Sequence, residues 1–205
     1  MELVVCKDVA EAAHYADRWV ERQVLTGLLR RLYVPAGATP EALYALWRET
    51  KPDYLQGLKF IQIDDVLTGP KAGCFRQFFE KELAPWLQQM SWLKDGAELG
   101  DAAILGLGLN GHVAFHEPGL PKSFFSGCVS LSPVTCERLQ LAPGTWGVSY
   151  GLGAFLRCRE ILMLATGASK REIVQQLLER RGEFPALALR DHAHFTLVID
   201  QAAQG

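Results

Sequence analysis

The organisation of this chain follows from residues 102–118, AAILGLGLNGHVAFHEP. The first four residues are an unbroken apolar run, which is typical of a buried strand in a parallel sheet. The glycines that follow allow the backbone to turn sharply and to come close to a ligand. His112 and Glu117 come directly after them, and Pro118 discourages helix at Glu117. The segment therefore predicts a binding or catalytic site at the carboxyl edge of an α/β sheet.

Strands alternate with helices on both sides of this segment. We predict strands at residues 2–6, 31–34, 58–63, 102–107, 128–131, 161–165 and 195–199. We predict helices from Asp8 to about residue 30 and at residues 40–48, 75–87 (broken near Pro85), 147–156 and 169–181. This alternation indicates an α/β fold, a Rossmann-like three-layer sandwich with a mostly parallel central sheet. We expect one domain over residues 1–205.

Composition excludes several classes of function. The net charge is −2 and no basic block occurs, so nucleic acid is not expected as a partner. No apolar run approaches the roughly 20 residues of a membrane span, and the N-terminus lacks the pattern of a signal peptide. The five cysteines are odd in number and scattered, which disfavours a zinc site or a disulfide framework. We therefore expect a reducing cytoplasm as the compartment.

Chemically active side chains also follow three other predicted strands. The loop at residues 35–40 could offer Gly37 backbone N–H and the Thr39 hydroxyl to an anion, or it could be a plain turn. Two adjacent carboxylates, Asp64 and Asp65, could serve as a helix cap, a metal site or catalytic acids. Lys170 lies in the first turn of a predicted helix, where its charge opposes the helix dipole. It could bind an anion there, or it could be a solvated surface lysine.

Residues 106–118 resemble the signature of the glucosamine-6-phosphate deaminase/isomerase family, G-x-G-x-[DN]-G-H-[IV]-[AG]-F-N-E-P. The match runs through Gly106, Asn110, His112 and Glu117, with His116 where the family usually has Asn. Many members carry Asp at the position of Asn110, and others carry Asn. The string is long, so the resemblance is more specific than a lone glycine motif.

Three further motifs of the family have counterparts in order along the chain. Residues 35–40 resemble its P-T-G-x-T-P phosphate loop, in which Ala38 replaces a residue that is often Gly. Asp64 stands where the M-D-E-Y motif has its proton-transferring acid, and Asp65 replaces the Glu. Val66 takes the place of the Arg that the related 6-phosphogluconolactonases tend to have, and Lys170 matches the [TL]-G-x-x-K lysine.

The resemblance implies conversion of a hexosamine 6-phosphate, glucosamine 6-phosphate foremost, to a ketose 6-phosphate and ammonia. It assigns catalysis to Asp64, Asn110, His112 and Glu117, with the Glu117 carboxylate within hydrogen-bond reach of the His112 ring. It assigns substrate binding to Gly37, Ala38, Thr39, Asp65 and Lys170. No metal or organic cofactor is expected, and the expected partner is a small sugar phosphate, with a homo-oligomer left open.

Two alternatives remain at this point: a 6-phosphogluconolactonase-type hydrolase and a non-catalytic sugar-phosphate-binding homologue. The segment at residues 119–144 bears on both, because the family has a lid there with a phosphate-binding arginine. This segment is short for the family and rich in Pro, Gly and Ser, so we predict a mobile flap. Arg138 is the nearby arginine, but the sequence gives no alignment for it.

Overall fold

The chain is described by a computed structural model over residues 1–204, in which ten strands form two sheets. The strands are β1 (Glu2–Cys6), β2 (Arg31–Val34), β3 (Lys59–Gln62), β4 (Asp64–Val66), β5 (Met90–Ser91), β6 (Ala102–Gly106), β7 (Ser126–Ser130), β8 (Trp146–Tyr150), β9 (Glu160–Ala165) and β10 (Phe195–Asp200). The larger sheet has seven parallel strands in the order β1-β10-β9-β6-β2-β3-β5. The expected mostly parallel central sheet is confirmed.

Helices, with one exception, cover both faces of this sheet. They are α1 (Val9–Leu25), α2 (Glu41–Thr50), α3 (Cys74–Glu82), α4 (Pro133–Leu139), α5 (Leu152–Phe155), α6 (Arg171–Glu179), α7 (Pro185–Arg190) and α8 (Gln201–Gln204). The exception is α4, which packs with strands of the smaller sheet. Short 3-10 helices lie at Asp53–Leu55, Ala84–Gln89, Leu93–Asp95 and Ala168–Lys170. Within residues 1–204, no helix is long and apolar enough to cross a membrane.

The central sheet separates two apolar layers. On β6, Ala103 and Leu105 pack with α6 and α7, whereas Ala102 and Ile104 pack with α1 and α2. Successive side chains of a strand point to opposite faces, so a strand covered on both faces has to be apolar throughout. This explains the unbroken apolar run at residues 102–105, and it makes the fold the three-layer sandwich that the sequence predicts.

A second, antiparallel sheet of strands β4, β8 and β7 was not predicted. The prediction of one helix over residues 147–156 is wrong, because Trp146–Tyr150 is strand β8 and only Leu152–Phe155 is helical. Gly147 lets β8 pass close to the motif loop, since a Cβ atom there would lie 2.7 Å from the ring of Phe115. Tertiary packing therefore overrides the weak helical preference of this glycine-rich segment.

Other predicted elements are shorter in the structure. Helix α1 ends at Leu25 instead of near residue 30, because Gly27 adopts a left-handed conformation with φ 72°. The helix predicted at residues 75–87 stops at Glu82, and the chain continues into a 3-10 turn through Pro85. The strand predicted at residues 58–63 ends at Gln62, so Asp64 opens β4 of the second sheet.

The order of the central strands determines where the site lies. Strands β9, β6, β2 and β3 are neighbours in the sheet, and all four run in the same direction. Their carboxyl ends therefore meet at one edge, where the connections that carry residues 35–39, Asp64, residues 107–117 and Lys170 begin.

Candidate active site

The loop after β2, residues 35–39, forms one wall of a cavity at this edge. Gly37 has φ 92°, a conformation that L side chains rarely adopt, so glycine permits the turn. Fully buried Tyr44 of α2 donates a hydrogen bond from its hydroxyl to the Pro35 carbonyl oxygen at 2.8 Å. Thr39 packs beside Gly106 of β6, where a Cβ atom would lie 3.3 Å from Thr39 Oγ1. The loop is thus fixed from α2 and fitted against β6.

Two cations line the same cavity from opposite elements. Lys170 ends the 3-10 turn after β9, is only 4% exposed, and donates from Nζ to the Leu107 carbonyl oxygen. Burial, and then the charge of Arg138, lower the pKa of Lys170 to about 8. Arg138 projects from α4 and is exposed at its rim. Two cations that line one cavity, one of them buried, favour the binding of an anion there.

His112 lies on the loop after β6, with its ring lining the cavity. Burial is the largest influence on this imidazole and lowers its pKa, while Lys170 and Arg138 lower it further and Glu117 opposes them. The imidazole is therefore neutral at neutral pH and able to accept a proton. Its Nδ1 lies 3.8 Å from Glu117 Oε2, beyond a normal hydrogen bond, and has no hydrogen-bond partner among the described residues. The expectation of direct hydrogen-bond reach is wrong for this state of the protein.

Glu117 is buried behind His112 and held by donors on both carboxylate oxygens. Asn110 Nδ2 donates to Oε2 at 3.1 Å, and the Asn110 Oδ1 accepts from the His112 backbone N at 3.2 Å. The Ser132 backbone N donates to Oε1 at 3.3 Å, and the Thr135 hydroxyl donates to the same oxygen. Asn110 thus links the carboxylate to the imidazole loop, and helix α4 supplies the remaining contacts.

Asp64 faces the cavity from the first position of β4. Its side chain is buried, and Oδ1 has no hydrogen-bond partner within residues 1–204. Burial first, and the neighbouring Asp65 charge second, raise the pKa of Asp64 well above its ordinary value. A carboxyl group with this environment is a strong enough base for proton transfer once ionised, and it is not committed to another partner.

Asp65 points away from the cavity, although the family resemblance assigns it to substrate binding. It is 1% exposed, and its Oδ1 accepts from the backbone N of Val66 at 2.8 Å and of Phe75 at 3.1 Å. Its Oδ2 faces Lys94 Nζ at 3.8 Å. Successive residues of a strand point to opposite sides, so two adjacent acids cannot both face one ligand. Asp65 instead ties β4 to the start of α3.

The cavity has a volume of about 270 Å³. Its lining residues are Pro35, Ala36, Gly37, Ala38, Thr39, Ile63, Asp64, Phe75, Gly106, Leu107, Gly108, His112, Ala114, Phe115, Thr135, Arg138, Leu139 and Lys170. Charged and polar groups therefore share the wall with apolar ones, among them the stacked rings of Phe75 and Phe115 at 5.5 Å. This mixture suits a small, polar, anionic ligand with one less polar face.

The structure brings most of the expected site residues together. Gly37, Ala38, Thr39, Asp64, His112 and Lys170 line the cavity, and Asn110 and Glu117 lie directly behind His112. His116, the departure from the family signature, is buried elsewhere: its Nδ1 accepts from the Leu152 backbone N at 3.2 Å, and its ring lines a separate cavity of about 530 Å³.

Two polar residues of α4 that line the cavity, Thr135 and Arg138, were not assigned from the sequence. A signal for their helix is present, since Ser132 caps α4 by accepting from the Thr135 backbone N and Pro133 occupies the first helical position. That signal gives the helix but not its place in the fold. The docking of α4 over the cavity depends on contacts distant in sequence.

The family profile described as glucosamine-6-phosphate isomerases/6-phosphogluconolactonase matches residues 61–198, more than half of the chain. The chain belongs to this family, whose named members are enzymes. Among curated relatives, a protein of Bacillus cereus strain G9842 named glucosamine-6-phosphate deaminase is 27% identical over 232 residues, covering 99% of this chain and 88% of its own length. A Bacillus thuringiensis relative with the same name is 26% identical over 234 residues, covering 99% of this chain and 88% of its own length.

Solved structures share the fold. A monomeric glucosamine-6-phosphate deaminase superposes with a TM-score of 0.83 at 22% identity, covering 99% of this chain and 98% of that one. The 6-phosphogluconolactonase of Trypanosoma brucei superposes with a TM-score of 0.79 at 16% identity, covering 98% and 97%. Both activities thus occur on this architecture, and the residues of the cavity have to discriminate between them.

Proposed function

We propose that this protein converts a hexosamine 6-phosphate, glucosamine 6-phosphate foremost, to the ketose 6-phosphate and ammonia. One observation carries the proposal. An uncommitted carboxyl group, Asp64, and a neutral imidazole, His112, open onto one small cavity whose other wall carries two cations. Isomerisation of an amino sugar phosphate needs an acid–base group at carbon, another at oxygen, and an anion clamp.

The anion clamp consists of Lys170, Arg138 and the loop at residues 35–39. The two cations and Thr39 line the same cavity, where a phosphate would offset both the burial and the repulsion by Arg138 that lower the pKa of Lys170. Binding energy gained at the phosphate then positions C1 and C2 of the sugar between Asp64 and His112.

Ring opening falls to His112. A neutral imidazole accepts the proton of the C1 hydroxyl and returns one to the ring oxygen, which breaks the C1–ring oxygen bond and leaves an aldehyde. The imidazolium formed in between is stabilised by the Glu117 carboxylate, which lies 3.8 Å from Nδ1 in the free protein. Asn110 contacts the Glu117 carboxylate and the backbone N of His112, and so ties the carboxylate to the loop that carries the imidazole.

Proton transfer between carbons falls to Asp64. The ionised carboxylate takes the C2 proton while a proton of the substrate ammonium group passes to the C1 oxygen, which gives an enolamine; returning the C2 proton to C1 then leaves a protonated imine at C2. Water then adds to the imine and ammonia departs, so the ketose 6-phosphate remains. The raised pKa of Asp64 brings its basicity closer to that required for removing a proton from carbon, at the expense of the ionised fraction.

A lactonase is the second candidate, because its family and fold are the same. It would need a base for water and an anion site, which His112, Lys170 and Arg138 could provide. Lactone hydrolysis breaks no C–H bond, so it gives the Asp64 carboxyl group no proton transfer between carbons to perform. Val66 stands where the lactonases tend to have Arg, and this residue favours the deaminase.

The test is an ammonia-release assay over a panel of hexosamine 6-phosphates, with 6-phosphogluconolactone hydrolysis measured beside it. The proposal expects ammonia and ketose 6-phosphate in equal amounts and slow lactone hydrolysis. Efficient lactone hydrolysis without ammonia release from any member of the panel would reject it.

The cytoplasm remains the proposed compartment, supported by the free state of all five cysteines.

A further inference from the structure

We infer that Thr135 is a positioning residue for the proton-transfer machinery: helix α4 holds the Glu117 carboxylate through the Thr135 hydroxyl and thereby aims Oε2 at His112. Only the kinetic consequences of this inference rest on the proposed function. Its geometric basis is the hydrogen bond from Thr135 to Glu117 Oε1 and the 3.8 Å approach of Oε2 to His112 Nδ1.

The contact is built from buried groups. Thr135 is 2% exposed and Glu117 6%, so neither can exchange this bond readily for one to water. Ser132 extends the chain of hydroxyls, since its Oγ contacts Thr135 Oγ1 at 3.1 Å while its backbone N donates to Glu117 Oε1. Asn110 donates to the other oxygen, Oε2. A buried carboxylate with donors on both oxygens has one preferred orientation.

Helix α4 also presents Arg138 to the cavity, one turn beyond Thr135. Residues three apart on a helix lie on the same face, so the phosphate-binding cation and the holder of the catalytic carboxylate move as one body. Any shift of α4 on loading a phosphate would therefore be transmitted to Glu117 and onward to His112. Sugar-phosphate binding and the orientation of the general base are linked through one short helix.

Loss of the hydroxyl should weaken the attraction of Glu117 for protonated His112. Without Thr135 on Oε1, the buried carboxylate loses a donor and turns from its present orientation. This change moves negative charge away from Nδ1. The other charged groups facing His112 are Lys170 and Arg138, both cationic, so nothing compensates. His116, the other titratable neighbour of Glu117, is itself held by the Leu152 backbone N.

The variants are Thr135→Val, which removes the hydroxyl at nearly constant shape, and Thr135→Ser, which keeps it. Thr145→Val is the matched control, because Thr145 is also a buried threonine but its hydroxyl donates to the Ala142 carbonyl oxygen, outside the site. Thr135→Ala is the second hydroxyl-free variant if the valine does not fold, as judged by circular dichroism.

The first readout is the imidazole pKa of His112 in substrate-free protein, from nitrogen-15 NMR with His112→Gln to assign the signal. We expect this pKa to be lower in Thr135→Val than in wild type, with Thr135→Ser and Thr145→Val unchanged. The second readout is kcat/KM at neutral pH, which should fall about tenfold in Thr135→Val and be retained in Thr135→Ser. An unchanged or raised His112 pKa in a folded hydroxyl-free variant would overturn the inference. If wild type releases no ammonia, the proposed function fails, whereas the NMR comparison still decides this inference.

Discussion

Replacing Lys170 by methionine should raise KM for a hexosamine 6-phosphate by roughly 10- to 150-fold while kcat changes only a few-fold. Lys170 is 4% exposed, and its Nζ is already held by the Leu107 carbonyl oxygen at the cavity wall. Methionine fills a similar volume in the cavity wall but carries no charge. The phosphate therefore loses a prepositioned cation, while the wall keeps its shape.

The magnitude follows from the contacts. A hydrogen bond to a charged group contributes about 1.5–3 kcal/mol, and each 1.4 kcal/mol is a factor of about ten in affinity. Arg138 remains to hold the phosphate, but it is exposed at the rim and its contribution is screened by water. The loss should therefore appear in binding more than in the chemical step.

The assay is steady-state ammonia release, with two controls. Lys122→Met removes the same charge from an exposed position outside the cavity and should leave KM unchanged. Unphosphorylated glucosamine should be turned over equally poorly by wild type and Lys170→Met, because it has no group for the lysine to bind. A KM within twofold of wild type would remove Lys170 from the phosphate site.

Three further outcomes are expected. Tyr44→Phe, which loses the bond to the Pro35 carbonyl, should raise KM a few-fold with kcat unchanged in the same assay; an unchanged KM would mean that the loop holds its shape without it. A pH profile of kcat/KM should rise as His112 and Asp64 lose their protons, because the neutral imidazole and the ionised carboxylate are the active forms, and should fall again near pH 8 as Lys170 loses its proton; a profile flat between pH 7 and pH 9 would contradict the fall assigned to Lys170. Amide hydrogen exchange in residues 119–144 should be faster than in β6, and equal protection would remove the mobile flap.

The central sheet could be predicted because its signals are local. Apolar runs such as residues 102–105 and 161–165 mark strands buried on both faces, and helical periods between them define the crossovers. The second sheet could not be predicted. Strand β4 is three residues long, and β8 takes its conformation from packing against Phe115 and from pairing with strands distant in sequence.

The residues of the site also differ in how far the sequence predicts them. Gly37, Thr39, His112 and Lys170 lie just beyond strands of one parallel sheet, so their meeting follows from the fold class. Asp65 shows the limit of carrying a motif over by position, because strand alternation turns it from the cavity while its neighbour faces inward. Thr135 and Arg138 arrive on α4, whose place over the cavity is a tertiary contact that no local pattern encodes.

The most direct measurement of the central claim, proton transfer between carbons by Asp64, is turnover of glucosamine 6-phosphate in D2O by wild type and Asp64→Asn. Wild type should release ammonia and leave deuterium at C1 of the ketose 6-phosphate, since a carboxyl group in an open cavity exchanges its proton with solvent during some turnovers. Asp64→Asn should release no ammonia. Its circular dichroism should match wild type, because asparagine is nearly isosteric. Ammonia release that survives in Asp64→Asn, or substrate loss in wild type with no deuterium on carbon, would contradict the account.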